Sequence, residues 1–206
     1  MKMISSGEKK SPLIKRLLFL MLVLLALVGI SSITSEWIAK QGAENWIGVV
    51  NITGIISDSQ RIVNQVKKFG QDKRIQGIVL RIDSPGGSVG PSQEIYDEVL
   101  KTRKGGKIIY ASMGTLAASG GYYIASATEK IFANPGTLTG SIGVIMAFSN
   151  AKGLMEKIGL QPEIIKAGKY KDIGSPARAM TQNEKNLLQS VVADVHQQFI
   201  EAVANG

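Results

Sequence analysis

The sequence contains no cysteine and only one histidine, His196. Without cysteine there is no disulfide framework, no thiolate metal site and no thiol nucleophile. His196 stands on an amphipathic helical pattern, and no histidine and carboxylate residues share the spacing of metal ligands. The sequence therefore offers no metal site and almost no basis for a Ser-His pair. A serine activated by a lysine is the remaining route to covalent catalysis.

A basic groove is also absent. The formal net charge is +8, but residues 1–16 alone carry five basic residues against Glu8, which is half of the surplus. Over the rest of the chain, lysine and arginine alternate with aspartate and glutamate. This distribution is typical of a solvated surface and argues against a nucleic-acid partner.

The basic N-terminus leads into an uncharged run of 19 residues, from Leu17 to Ser35. A helix needs about 20 residues to cross the hydrocarbon core, so we interpret this run as a membrane anchor. Its strictly apolar part is shorter and also suits a secretory signal, with Gly29-Ile30-Ser31 as a cleavage site. Under either interpretation, the preceding charges predict a cytoplasmic segment at 1–16 and an extracytoplasmic chain beyond about residue 36.

Strand and helix patterns alternate after a linker predicted at residues 36–45. Such alternation predicts βαβ units and a largely parallel sheet, and thus an α/β domain over residues 46–206. Strands are expected at 47–52, 77–83, 107–111, 131–133, 144–146 and 163–166, and helices at 58–69, 91–103, 119–127 and 150–158. A last helix is expected to begin at Thr181, where Thr-Gln-Asn-Glu forms a capping box.

Ser119 stands in the segment Gly114-Thr-Leu-Ala-Ala-Ser-Gly-Gly-Tyr-Tyr. Its small neighbours would let a substrate backbone approach the hydroxyl, and a helix beginning just after it would favour developing negative charge. Serine is equally a preferred N-cap residue, so the segment alone leaves a purely structural role open.

Lys171 stands in Gly168-Lys-Tyr-Lys-Asp. A lysine acts as a general base only in its neutral form, which requires a buried environment. The alternative is a solvated lysine close to Lys166 and Lys169, since most lysines are exposed.

Two further segments combine serine with glycine. Asp83-Ser-Pro-Gly86-Gly-Ser connects a predicted strand to a predicted helix, where a glycine turn can expose backbone N–H groups for an oxyanion hole. It lacks the glycine spacing of dinucleotide and phosphate loops, and a plain turn is the alternative. In Thr137-Leu-Thr-Gly-Ser141-Ile-Gly, the serine hydroxyl could orient a lysine amine or close a turn.

These four segments, in this order, resemble the motifs of the bacterial signal peptide peptidases of the short, single-copy type. The resemblance covers about residues 46–203, and the separation of 52 residues between Ser119 and Lys171 also fits that family's pattern. It implies a ClpP/crotonase-like α/β fold that needs no cofactor. It further implies that Ser119 is the nucleophile, Lys171 the general base, Ser141 a hydroxyl that positions the lysine, and Gly86 a backbone oxyanion donor.

The resemblance also implies a substrate and an assembly. Members of the family degrade signal peptides left in the membrane, and misplaced unfolded proteins are a further expected substrate outside the cytoplasmic membrane. They form homo-oligomeric rings in which the serine of one protomer meets the lysine of its neighbour. They typically continue past the last helix, so this chain is expected to be C-terminally incomplete.

Three other interpretations stay open at this stage. The chain could be a catalytically inactive membrane scaffold of the same family, or a stomatin-associated membrane protease of the same clan with other substrates. A crotonase-like acyl-CoA enzyme is less favoured, because it would leave Ser119 and Lys171 without a role.

Overall fold

The computed structural model describes residues 12–41 and 45–206, without the side chains of residues 12–15, 33 and 35–41. The chain divides into two compact units, with the boundary between Asn45 and Trp46. The first unit contains helix α1, Pro12–Gln41. Residues 36–41, expected to be part of a linker, therefore continue this helix, while 1–11 and 42–44 lie outside the described residues.

The segment predicted to span the membrane lies within α1. Among the described residues, no helix meets the length and apolarity that crossing a membrane requires. Residues 33 and 35, at the end of the predicted span, are among those whose side chains are not described. The anchor and its topology therefore stay predictions.

The second unit is built on a parallel sheet, which confirms the expected α/β class. Its strands follow the order β1-β2-β3-β4, and β5 pairs with the end of β3. Every strand pair is parallel. The strands are β1 Trp46–Thr53, β2 Ile75–Ser84, β3 Ile108–Ala118, β4 Lys130–Phe132 and β5 Leu138–Gly140.

Helices connect the strands and cover the sheet. They are α2 Gln60–Gln71, α3 Val89–Lys104, α4 Gly120–Ser126, α5 Lys152–Lys157 and α6 Gln182–Ala204. The core forms where β-branched and leucine side chains of the strands meet apolar positions of α2 and α3, such as Val66 and Val99. The predicted capping box of α6 is present, with Thr181 and Glu184 as its members.

Strand β3 is longer than predicted and carries the chain to Ser119. The register of β2 and β3 shifts after Ile82, and β3 resumes pairing at Ala117. The carboxylate of Asp83 accepts the backbone N–H of Leu116 (3.1 Å) across this shift, which satisfies a donor that the ladder leaves free. The strand can therefore continue beyond the predicted end at residue 111.

Two predicted strands are wrong. Residues 144–146 and 163–166 have irregular backbone, and the short strand β5 forms instead. Ile145 is 90% exposed and Ile165 is 97% exposed. Because a strand requires a pairing partner, a β-branched run that stays on the surface of one chain does not become one.

Candidate active site

Ser119 forms the junction between β3 and α4. Its backbone has φ 52° and ψ −123°, a strained conformation for a residue other than glycine. Two bonds hold it there: its N–H donates to the carbonyl of Gly140 (2.9 Å), and its own carbonyl accepts the N–H of Tyr123 (2.8 Å). Although it occupies the N-cap position, its hydroxyl makes no capping hydrogen bond. The hydroxyl is therefore available for chemistry.

Ser141 lies next to Ser119. Ala118 of β3 pairs with Gly140 of β5, so the two serines directly follow paired residues of neighbouring parallel strands. Such strands lie about 4.8 Å apart. Ser141 also has a positive φ, of 53°. The structure thus brings together two of the residues that the sequence singled out.

Gly86 touches the same junction. It has φ 93°, and a Cβ placed on it would lie 2.8 Å from Cβ of Ser119 and 2.6 Å from the backbone nitrogen of Gly120. Only glycine allows this close approach. Its N–H, however, donates to Oγ of the buried Ser84 (3.0 Å). The donor expected to bind the oxyanion is thus already engaged within the loop.

The next residue, Gly87, presents a different donor. The backbone N–H of Ile56 donates to the carbonyl of Gly86 (3.0 Å), and the carbonyl of Ile56 accepts the N–H of Ser88 (2.8 Å). In this parallel pairing, the N–H of the intervening Gly87 points away from Ile56. Among the described residues, neither Gly87 nor Gly120 has a hydrogen-bond acceptor for its N–H. Sequence reasoning missed both glycines, because nothing in the sequence shows that the N–H of Gly86 donates to the hydroxyl of Ser84 while the N–H of Gly87 does not.

A small apolar cavity opens beside Ser119. Its volume is about 40 Å³, which suits a small apolar side chain. None of the described residues that line it is charged. Burial raises the pKa of the Tyr123 hydroxyl, so that side chain stays neutral as well. The lining residues are Gly87, Val89, Ser92, Gln93, Ser119, Gly120, Tyr123, Gly143, Val144, Val195 and Phe199.

Lys171 does not line this cavity. It is exposed and lies in a turn, where its N–H donates to the carbonyl of Gly168 (3.3 Å). Of the four residues expected at the site, the structure therefore groups Ser119, Ser141 and Gly86, and leaves Lys171 on the surface of the same chain.

An ionic cluster adjoins Lys171. The guanidinium of Arg178 and the ammonium of Lys166 bind the carboxylate of Asp172, and hold its pKa well below the usual range. Arg178 also binds Glu184 and, as the largest cause, lowers the pKa of that carboxyl to about 2. Among the described residues, no group of histidines and carboxylates could hold a metal ion.

Comparison with known proteins points to one family. The model of peptidase family S49 matches residues 101–206. A candidate protease of Synechocystis sp. is 40% identical over 82% of this chain and 61% of its own length. A candidate signal peptide peptidase SppA of Enterococcus faecium is 35% identical over 86% of this chain and 56% of its own length. A candidate protease of Methanocaldococcus jannaschii is 37% identical over 71% of this chain and 47% of its own length. The chain thus spans about half to three fifths of these relatives.

Proposed function

The chain belongs to peptidase family S49, and on this basis we propose that it is a serine endopeptidase whose nucleophile is Ser119. The observation that carries the proposal is the strained Ser119 backbone at the mouth of an apolar cavity, with a hydroxyl that makes no capping bond. Strained residues of this kind cluster at active sites.

In the proposed reaction, Oγ of Ser119 attacks the scissile carbonyl carbon while the neutral amine of Lys171 takes the hydroxyl proton. The N–H groups of Gly87 and Gly120 stabilise the oxyanion of the tetrahedral intermediate. The lysine ammonium then gives its proton to the leaving amine, and the C–N bond breaks to leave an acyl-enzyme. Water, deprotonated by the same lysine, hydrolyses the ester. Gly86 would join the oxyanion hole only by releasing Ser84.

The base is proposed to come from a neighbouring protomer. Lys171 is exposed and lies outside the cavity of its own chain, so it is accessible to a second copy. Exposed apolar side chains in residues 138–165, including Ile145 and Ile165, support a homo-oligomer. Ser141, next to Ser119, would then position the incoming amine.

Substrates are proposed to be apolar peptides such as signal peptides, together with misplaced unfolded chains. The uncharged, mostly apolar lining of the cavity beside Ser119 would suit an apolar side chain. The uncharged run at 17–35 would hold the enzyme at the outer side of the cytoplasmic membrane. A stomatin-associated protease would share the chemistry and differ in substrate.

Hydrolysis of a synthetic signal peptide by the full chain in detergent tests this proposal. We expect Ser119→Ala and Lys171→Ala each to lower kcat at least about 10³-fold. Lys169→Ala, at an exposed lysine two residues away, is the matched control and should keep activity. Full activity of Ser119→Ala would refute the nucleophile, and full activity of Lys171→Ala would refute the base.

A non-catalytic scaffold is the second candidate. One observation favours it: a single chain does not hold Lys171 at the cavity of Ser119. A chain that stays monomeric in detergent and hydrolyses nothing would support the scaffold, whereas a multi-subunit assembly with peptidase activity would contradict it.

A further inference from the structure

The turn that carries Lys171 lies in a long irregular segment. Between α5 and α6, residues 158–181 contain no helix or strand. Within the turn, two backbone bonds connect Lys171 to Gly168 (3.3 Å) and Ile173 to Tyr170 (3.1 Å). Such local bonds shape the turn but do not fix its place on the protein. One longer-range backbone bond, from the N–H of Ala151 to the carbonyl of Pro176 (2.8 Å), holds the segment five residues after Lys171. Next to Lys171 itself, side-chain contacts hold the turn in position.

Asp172, the residue after Lys171, makes those contacts. Its carboxylate accepts Nε of Arg178 (2.7 Å) and Nζ of Lys166, and its side chain is only 11% exposed. A carboxylate removed from water in this way needs such partners, because an unpaired buried charge is strongly unfavourable.

Arg178 uses every N–H of its guanidinium. Nε donates to Oδ2 of Asp172, and Nη2 donates to the backbone carbonyl of Asp172 (3.4 Å). Nη1 and Nη2 donate to the two carboxylate oxygens of Glu184 (2.8 and 2.5 Å), and Nη1 also donates to the carbonyl of Ala179 (3.1 Å). One rigid, planar group therefore connects both the side chain and the backbone of the residue after Lys171 to Glu184.

Glu184 belongs to a fixed element. It lies in the first turn of α6 and completes the capping box, since its carboxylate accepts the N–H of Thr181 (2.8 Å) and its own N–H donates to Oγ1 of Thr181 (3.3 Å). Helix α6 in turn packs on the domain through Phe199, whose ring lies 5.1 Å from that of Tyr123 in α4. Arg178 thus connects the Lys171 turn to a helix anchored next to Ser119.

We propose that Arg178 is a positioning residue for Lys171. By bridging Asp172 to the capped start of α6, it fixes where the lysine amine stands on the protomer and so its approach to the serine it serves. This inference rests on the proposed role of Lys171 as general base. Arg178 itself does not line the Ser119 cavity, so it has no expected contact with the bound side chain.

Arg178→Lys is the sharpest test, because it keeps the charge and loses the fork. A single ammonium cannot donate to Asp172 and to both oxygens of Glu184 in the observed directions. A lysine base displaced by about 1 Å would lower kcat by roughly 10- to 100-fold. KM should stay within about 2-fold, since substrate binding is not touched.

Arg74→Lys provides the matched control. Arg74 also binds an aspartate through two N–H groups, at 3.1 and 2.7 Å from Asp72. Arg74 directly precedes β2, whereas Ser119 follows the end of β3. Because the two strands are parallel, the control lies at their amino ends and Ser119 at their carboxyl ends. We expect its kcat to stay unchanged. An equal loss in both variants, or no loss in Arg178→Lys, would overturn the proposal.

Combining Arg178→Lys with Lys171→Ala separates positioning from general stability. The residual rate of each variant is taken after the rate of Ser119→Ala has been subtracted. If Arg178 acts through Lys171, adding Arg178→Lys to Lys171→Ala should leave the residual rate of Lys171→Ala unchanged. A multiplicative loss would contradict the proposal. If Lys171→Ala retains full activity, the proposed base fails instead. If the rate of Lys171→Ala is no higher than that of Ser119→Ala, the double variant is uninformative. The kcat and KM of Arg178→Lys alone then decide whether Arg178 positions Lys171.

Asp172→Asn provides a second test in case Arg178→Lys fails to fold. It keeps the side-chain shape and removes the charge that Arg178 and Lys166 bind. It should lower kcat by the same order as Arg178→Lys, again with KM preserved, in protein that melts cooperatively and assembles as the wild type does. A folded Asp172→Asn variant with wild-type kcat would count against the proposal.

Discussion

At the scale of single residues, strain coincides with the proposed chemistry. Among the described residues, Ser119 and Ser141 are the two positions other than glycine with positive φ, and they lie side by side at paired strand ends. The sequence singled out both serines in segments rich in small residues, and the family resemblance supplied their expected roles. The sequence could not show which glycine N–H lacks an acceptor, because that depends on the surroundings: the N–H of Gly86 donates to buried Ser84, and Gly87 lines the cavity.

Gly86→Ala tests how tightly the loop packs on the nucleophile. The new Cβ would meet Ser119 and Gly120 at 2.6–2.8 Å, so we expect loss of peptidase activity and a lower melting temperature. Gly106→Ala is the control: Gly106 has nearly the same φ, 92° against 93°, but nothing lies within 4 Å of its Cβ. Backbone strain alone should cost Gly106→Ala about 1–2 kcal/mol and spare activity. Equal effects in the two variants would show that the contact is unimportant.

At the scale of elements, local signals were predictable and distant pairings were not. Helix α6 begins where its capping box indicated, because the Thr181 and Glu184 contacts are formed within one turn. Strand β5 was missed because it is three residues long and depends on the end of β3. Residues 163–166 have the composition of a strand but find no neighbour to pair with.

The ionic cluster at the start of α6 predicts a dependence of stability on pH. Because Arg178 lowers the pKa of Asp172 and of Glu184, its stabilisation is fully present above the ordinary carboxyl pKa, about 4, and is lost as pH falls towards 2. Urea unfolding of the full chain in detergent should therefore show a larger difference between wild type and Arg178→Met at pH 7 than at pH 3. A difference that is equal at both pH values would contradict this linkage.

At the scale of the whole molecule, one chain does not bring the proposed nucleophile and the proposed base to the same cavity. Ser119, Gly87 and Gly120 line one cavity and Ser141 follows the strand end paired with that of Ser119, whereas Lys171 is exposed and does not line the cavity. Under the proposal of a shared site, the apolar residues exposed between 138 and 165 would contact a second copy. The composition of the chain indicated a Ser-Lys pair, but the separation of the two residues is a property of the tertiary structure that no spacing in the sequence shows.

Complementation between two inactive variants tests most directly whether two chains build one site. Ser119→Ala and Lys171→Ala, unfolded and refolded together in detergent, should form mixed assemblies in which about one quarter of the interfaces pair an intact serine with an intact lysine. The account predicts that signal-peptide hydrolysis returns to roughly that fraction of the wild-type rate. A mixture that assembles but stays as inactive as its two parents would contradict a site shared between protomers.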